Sequence, residues 1–210
     1  KVWETTDLKE RPSNKFGEVE ITLIADLSGS MDGEKAREQL KSAVLMMEAL
    51  KEFGDICREE KNTLNKPLEI RSEVYSFQAT DADKTPIKKM SAELSETDRI
   101  RTASKLTKAK GQKTTDFVTL EAINSKINEE SKEKMKRGEL KKIVIVFTDG
   151  DSDSPSAVKE KLDLLRKSGV VVIGVGITAD GKSALTTYAP DAKLAEQAAV
   201  LPIVLKDLLK

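Results

Sequence analysis

At 210 residues the chain is long enough to bury a substantial core as one α/β domain and cramped for two. Thirty-six Lys and Arg balance thirty-six Asp and Glu, so no overall field draws it to nucleic acid or to an anionic membrane. One cysteine and no histidine exclude intramolecular disulfides, tetrahedral zinc centres and every catalytic arrangement that needs an imidazole. Charged residues make up 34% and aromatics only 4%, so the core must rest on aliphatic packing. Cys57 falls in a helical pattern beside Phe53 and Ile56 and reads as a small core residue.

In chain order, residues 19–27 begin with alternation and become continuously apolar at Ile24 and Ala25, the pattern of a central strand covered on both faces. From residue 34 to about residue 60, Ala36, Leu40, Ala43, Val44, Met47, Leu50 and Cys57 recur at helical spacing and predict a long amphipathic helix against the sheet. Residues 68–77 alternate and predict a strand near the sheet's edge. A short strand over 86–90 and a helix over 95–108 follow. Phe117, Leu120, Ile123 and Ile127 then predict a helix that runs on into a charged, solvated end at 129–136. Residues 143–147 and 170–175 are short, β-branched and almost wholly apolar, as buried parallel strands are, with a helix at 155–167 between them. The tail from 194 to 209 reads as helix interrupted by Pro202. Strands alternating with helices predict a doubly wound α/β sheet with helices on both faces. The longest apolar run, 170–177, contains two glycines and is far short of the roughly 20 residues that cross a bilayer. No secretory leader is legible, so a cytoplasmic setting is expected.

Ligands of open α/β sheets gather at the carboxyl ends of the strands, and three loops there carry oxygen donors. The first is Asp26-Leu27-Ser28-Gly29-Ser30, one carboxylate and two hydroxyls at alternating positions. The second is Thr114-Thr115-Asp116, and the third is Thr148-Asp149-Gly150. Carboxylate and hydroxyl oxygens suit a hard cation such as Mg²⁺.

An Asp-x-Ser-x-Ser loop after the first strand, a threonine in a middle loop and an aspartate after a later apolar strand resemble the metal-ion-dependent adhesion site (MIDAS) of von Willebrand factor type A (vWA) domains. The likeness spans roughly residues 19–176. It implies a Rossmann-like, mostly parallel sheet with one antiparallel edge strand, and a domain over 19–210 preceded by an extension over 1–18. By the same resemblance Asp26, Ser28, Ser30, Thr114 and Asp149 are the metal ligands, with Thr114 preferred to Thr115 and Asp116 within reach. The ion is expected to be Mg²⁺, with Mn²⁺ or Ca²⁺ as substitutes. The resemblance further implies a non-enzymatic module in which a partner protein's Asp or Glu completes the metal shell. In the intracellular prokaryotic branch such domains act beside a MoxR-type AAA+ ATPase or in a metal-chelatase complex. No nucleic acid or membrane partner is expected.

Three other patterns compete. Gly176 to Ser183 spells G-I-T-A-D-G-K-S, a literal match to the phosphate-cradling loop of nucleotide-binding ATPases, although Asp180 puts a carboxylate where phosphate charge would collect. Asp149, Asp151, Asp153 and Glu160 have EF-hand-like spacing, but Ser154 stands where the turn wants glycine and Pro155 follows it. The basic stretch Arg99, Arg101, Lys105, Lys108, Lys110 and Lys113 leads into Thr114. It reads first as a solvated helix face and second as a border that favours an acidic partner.

Overall fold

A computed structural model describes residues 17–60, 68–107, 111, 113–149 and 152–195 of the chain. Among them the strands Glu18–Asp26 (β1), Glu69–Phe77 (β2), Lys88–Ser91 (β3), Leu140–Thr148 (β4), Val171–Ile177 (β5) and Ala192–Ala195 (β6) form one sheet in the order β3-β2-β1-β4-β5-β6. Only the β2–β3 pairing is antiparallel among these strands. β1 is central as its sequence predicts, bonded along its length to β2 (Glu18 opposite Glu69, Asp26 opposite Phe77) and to β4 (Glu18 opposite Leu140).

The two-residue period of β1 builds both layers of the core. Val19, Ile21 and Leu23 face Met46, Met47 and Leu50 of the helix Glu34–Glu59 (α1). On the other face Ile24, Tyr75, Val144 and Val146 meet Leu120 and Ile123 of Asp116–Ser125 (α3), Val158 and Leu162 of Pro155–Lys167 (α5), and Ala184 of Lys182–Thr187 (α6). Glu96–Leu106 (α2) joins the α1 layer through Leu106, which packs with Ala25, Leu27 and Ala43. Ser95 and Asp98 close a reciprocal capping box at its start. Cys57 is buried in the α1 layer, where burial pushes its thiol up, as a core position implies.

The sequence reading differs from the structure in three places. The helix expected to run on through the charged segment is broken: α3 ends at Ser125, and Asn128 caps a separate helix, Glu129–Lys136 (α4), by accepting the Ser131 amide at 2.8 Å. Leu194 and Ala195, read as the start of a helical tail, close the sheet edge in β6 opposite Gly176 and Ile177, and residues 196–209 of that tail lie outside the described residues. Four residues are too few to display a strand's alternation. β3 begins two residues later than its sequence suggests, and its Lys88 is buried, held by the carbonyl oxygens of Ser72 (2.7 Å), Ser91 (3.2 Å) and Lys89 (3.3 Å).

Candidate metal centre

β1 and β4 are neighbours and run parallel, so their carboxyl ends bring Asp26 and Asp149 to one edge of the sheet. Asp26 is completely buried. Its Oδ1 accepts the Ser28 amide and its Oδ2 the Thr148 hydroxyl, both at 2.7 Å. Burial pushes this carboxyl up to about 6, against the hydrogen bonds from Ser28 and Thr148 that favour its ionised form, and the Asp149 charge adds to the rise. The backbone of Asp26 is fixed by Gln39 of α1, whose amide accepts from Asp26 N at 3.0 Å and donates to Asp26 O at 2.7 Å. A fully buried glutamine on the apolar face of a helix is the signal that sequence reasoning passed over.

The turn after β1 places the Ser28 and Ser30 hydroxyls 3.0 Å apart, and Ser30 donates to Asp149 Oδ1 at 2.9 Å. Ser28 is buried and Ser30 exposed, so the oxygens form a line from the interior to solvent. Met31, fully buried, pins the turn from beneath. Gly111 pins it from the side: its amide donates to Leu27 O at 2.8 Å, and a Cβ there would lie 2.7 Å from the Gln78 side chain. Only glycine permits that approach.

The two threonines of the middle loop divide their duties. Thr115 gives its hydroxyl proton to the buried Asp83 at 2.9 Å, and the same Asp83 oxygen gathers the amides of Gln78, Ala79 and Thr80. Thr114 is tied by its backbone to Asp153, with its amide on Asp153 Oδ2 at 3.1 Å and its carbonyl accepting the Asp153 amide at 3.2 Å. Thr114 is thus joined to the Asp149 loop. Among the described residues no hydrogen bond connects its hydroxyl to Ser28, Ser30 or Asp149. Asp116 is not at the site's mouth. It is buried beneath, accepting from Ser152 at 2.6 Å and from the fully buried Tyr188 at 2.5 Å, and burial raises its carboxyl.

Sequence reasoning missed Lys35. From the first turn of α1 its ammonium reaches Asp149 Oδ2 at 2.6 Å and Asp180 Oδ2 at 3.0 Å, and the Asp149 bond holds its pKa above the usual lysine value. Its signal was a cation at a helix amino end, where the macrodipole disfavours one.

The competing patterns do not assemble. The phosphate-loop match is closed on itself: a Cβ on Gly176 would lie 2.2 Å from Gly181 O, so the glycines pack against each other where an anion would need room. The helix that follows, α6, has six residues. Of the EF-hand spacing, Asp153 holds Thr114, Glu160 pairs with Lys161 on the outer side of α5, and Asp151 lies outside the described residues. In the basic stretch, Arg99 is spent on a two-pronged bond to Glu48 of α1, and Lys108 and Lys110 lie outside the described residues. Among the described residues no group of three or more His, Cys, Asp or Glu is placed to hold a metal ion. The cluster here mixes two carboxylates with hydroxyls, an all-oxygen set that fits a hard divalent cation.

Comparison with known proteins identifies the family and the fold. The family profile of the von Willebrand factor type A domain matches residues 20–200. An uncharacterized protein of Treponema pallidum is 27% identical over 194 residues, which cover 88% of this chain and 31% of that protein, so the chain spans about a third of its relative. Proximal thread matrix protein 1 of the mussel byssus shares the fold at a TM-score of 0.59 and 21% identity, over 93% of this chain and 46% of its own, and was solved with a zinc-occupied MIDAS motif. The manganese-loaded TRAP protein of Plasmodium vivax follows at 0.51 and 16%, over 90% and 72% of the two chains. With its profile matched over most of its length and its sheet in the same architecture, the chain belongs to the von Willebrand factor type A domain family.

Proposed function

We propose that this vWA domain is a protein-binding module that holds a divalent cation, Mg²⁺ by preference, through Asp26, Ser28, Ser30, Thr114 and Asp149, and that works by gripping a partner and not by turnover. The observation that carries the reading is the run of oxygens from Ser28 through Ser30 to Asp149, linked at 3.0 and 2.9 Å across the ends of two adjacent parallel strands. A divalent cation at this place supplies an open coordination position for an outside carboxylate. The chain's residues do the rest. The hydroxyls of Ser28 and Ser30 offer neutral donors, and Asp26 is held too deep to meet a partner, with both its oxygens already accepting hydrogen bonds. Asp83 engages the Thr115 hydroxyl and leaves Thr114, whose backbone is tied to Asp153 of the Asp149 loop, as the candidate ligand of its own loop.

The partner's contribution in this reading is an exposed Asp or Glu. A MoxR-type AAA+ ATPase or a chelatase complex is the first to test. The experiment is a pull-down in Mg²⁺, repeated in EDTA and with Asp26→Ala. Partner capture should need both the ion and Asp26, and capture that persists in EDTA would remove the metal clasp.

A further inference from the structure

We infer that Lys35 is the residue that sets how tightly this site takes a divalent cation, and that Asp180 moderates it; the inference rests on the metal reading above. Asp149 is the hinge of the argument. Its Oδ1 belongs to the Ser30 side of the site, while its Oδ2 is bound by the Lys35 ammonium at 2.6 Å. The carboxylate side chain is 2% exposed, so the pair is poorly screened, and a cation approaching Oδ1 meets a positive charge already on the other oxygen of the same group. Lys35 is an internal competitor for Asp149.

It is also a competitor with somewhere to go. Asp180, from the 3-10 turn after β5, lies 3.0 Å from the same ammonium and is 68% exposed. When Asp149 turns to a metal ion, Lys35 keeps one of its two carboxylates. Lys35 stands in the first turn of α1, beside Glu34, where the helix dipole opposes a positive charge. The charge balance points the same way. Asp26, Asp149 and Asp180 set three negative charges against the one positive charge of Lys35, so a divalent ion would just balance the site, and removing Lys35 would leave it one negative charge over.

The test is titration of the intact chain with Mn²⁺ alone, by calorimetry and by the electron-spin signal of free Mn²⁺. Lys35→Met should raise affinity about tenfold, with Lys35→Gln as a second variant should the first fold poorly. Asp180→Asn, which leaves Lys35 with Asp149 alone, should lower affinity about threefold, and this loss should shrink in the Lys35→Met background. Binding seen only after Lys35→Met supports the inference in its extreme form. Affinity unchanged or lowered in both Lys35 variants overturns it while the metal reading stands. No Mn²⁺ binding by the wild-type chain or by any variant overturns the metal reading itself.

Discussion

Both ends of this sheet carry charge in quantity, and they use it in opposite ways. At the amino ends of the strands, on the face covered by α3 and α4, Glu18, Glu20 and Glu73 each have cations of the chain's own. Arg71 reaches Glu18 at 2.5 Å and Glu20 at 2.9 Å, Lys142 pairs with Glu20, Lys134 with Glu18 at 3.2 Å, and Lys126 with Glu73 at 3.2 Å. A cavity of about 150 Å³ lies among Glu20, Thr22, Glu73, Lys126 and Lys142. At the carboxyl ends, Asp26 is met by an amide and a hydroxyl, with no ion pair among the described residues, and Asp149 shares its one lysine with Asp180. The lower cluster sets four cations against three carboxylates, while the upper one has a single lysine against three. The difference teaches that a dense polar cluster is not by itself a site. What marks the upper end is an excess of negative charge at the edge of the sheet.

The sharpest way to break the contrast is to disturb each end and read metal binding at the upper one. Asp26→Asn should cut Mn²⁺ affinity roughly 100-fold by calorimetry, whereas Glu20→Gln at the lower end should leave it within about twofold, beyond the reach of local screening. Equal losses from the two would erase the distinction. Next in size is the support beneath the upper loops. Tyr188→Phe keeps the ring but takes away the proton donated to Asp116, leaving a buried carboxylate short of a partner. A loss of about 1–3 kcal/mol is expected in the free energy of unfolding by urea. At the lower end, Glu20→Gln leaves Arg71 and Lys142 without a shared carboxylate. These side chains are half-buried, so about 1 kcal/mol is expected, less than a buried pair and more than a surface one.

The smallest effect concerns pH. Burial holds the Lys88 ammonium below the usual lysine value of 10.5 despite the attraction of Asp98, Glu73 and Glu93. Between its folded value and 10.5 the unfolded chain keeps the proton that the folded chain has lost, so stability from this residue rises with pH. Comparing wild type with Lys88→Met across that window, the difference in melting temperature should move in favour of wild type as pH increases. A difference that stays flat with pH would show that Lys88 titrates normally in its carbonyl cage.

How much of this was legible beforehand follows from how local each signal is. β1, α1, β2 and α5 show their periods over many residues, and their bounds in the structure lie within a residue or two of those read from sequence. That Asp26, Ser28 and Ser30 lie together was legible because one turn carries all three. Gln39, Asp83 and Lys35 were not, because each acts on residues brought near only by the winding of the sheet: Gln39 on the end of β1, Asp83 on Thr115, Lys35 on the ends of β4 and β5. Asp116 was misjudged for the converse reason. Its neighbour Thr114 is tied to the Asp149 loop, but Asp116 itself turns to Ser152 and to Tyr188, distant in the chain and buried. The short β6 had no period to display.

The register of β1 has a mechanical consequence. The Ser28–Ser30 turn continues a strand bonded to parallel neighbours on both sides, to β2 from Glu18 to Asp26 and to β4 from Glu18 to Ala25. Tension applied there along the strand axis would load both hydrogen-bond ladders in shear, so that their bonds resist together. β6, bonded among the described residues to β5 alone and over four residues, would share such a load among far fewer bonds. A load taken at this turn enters the molecule through the strand best able to bear it.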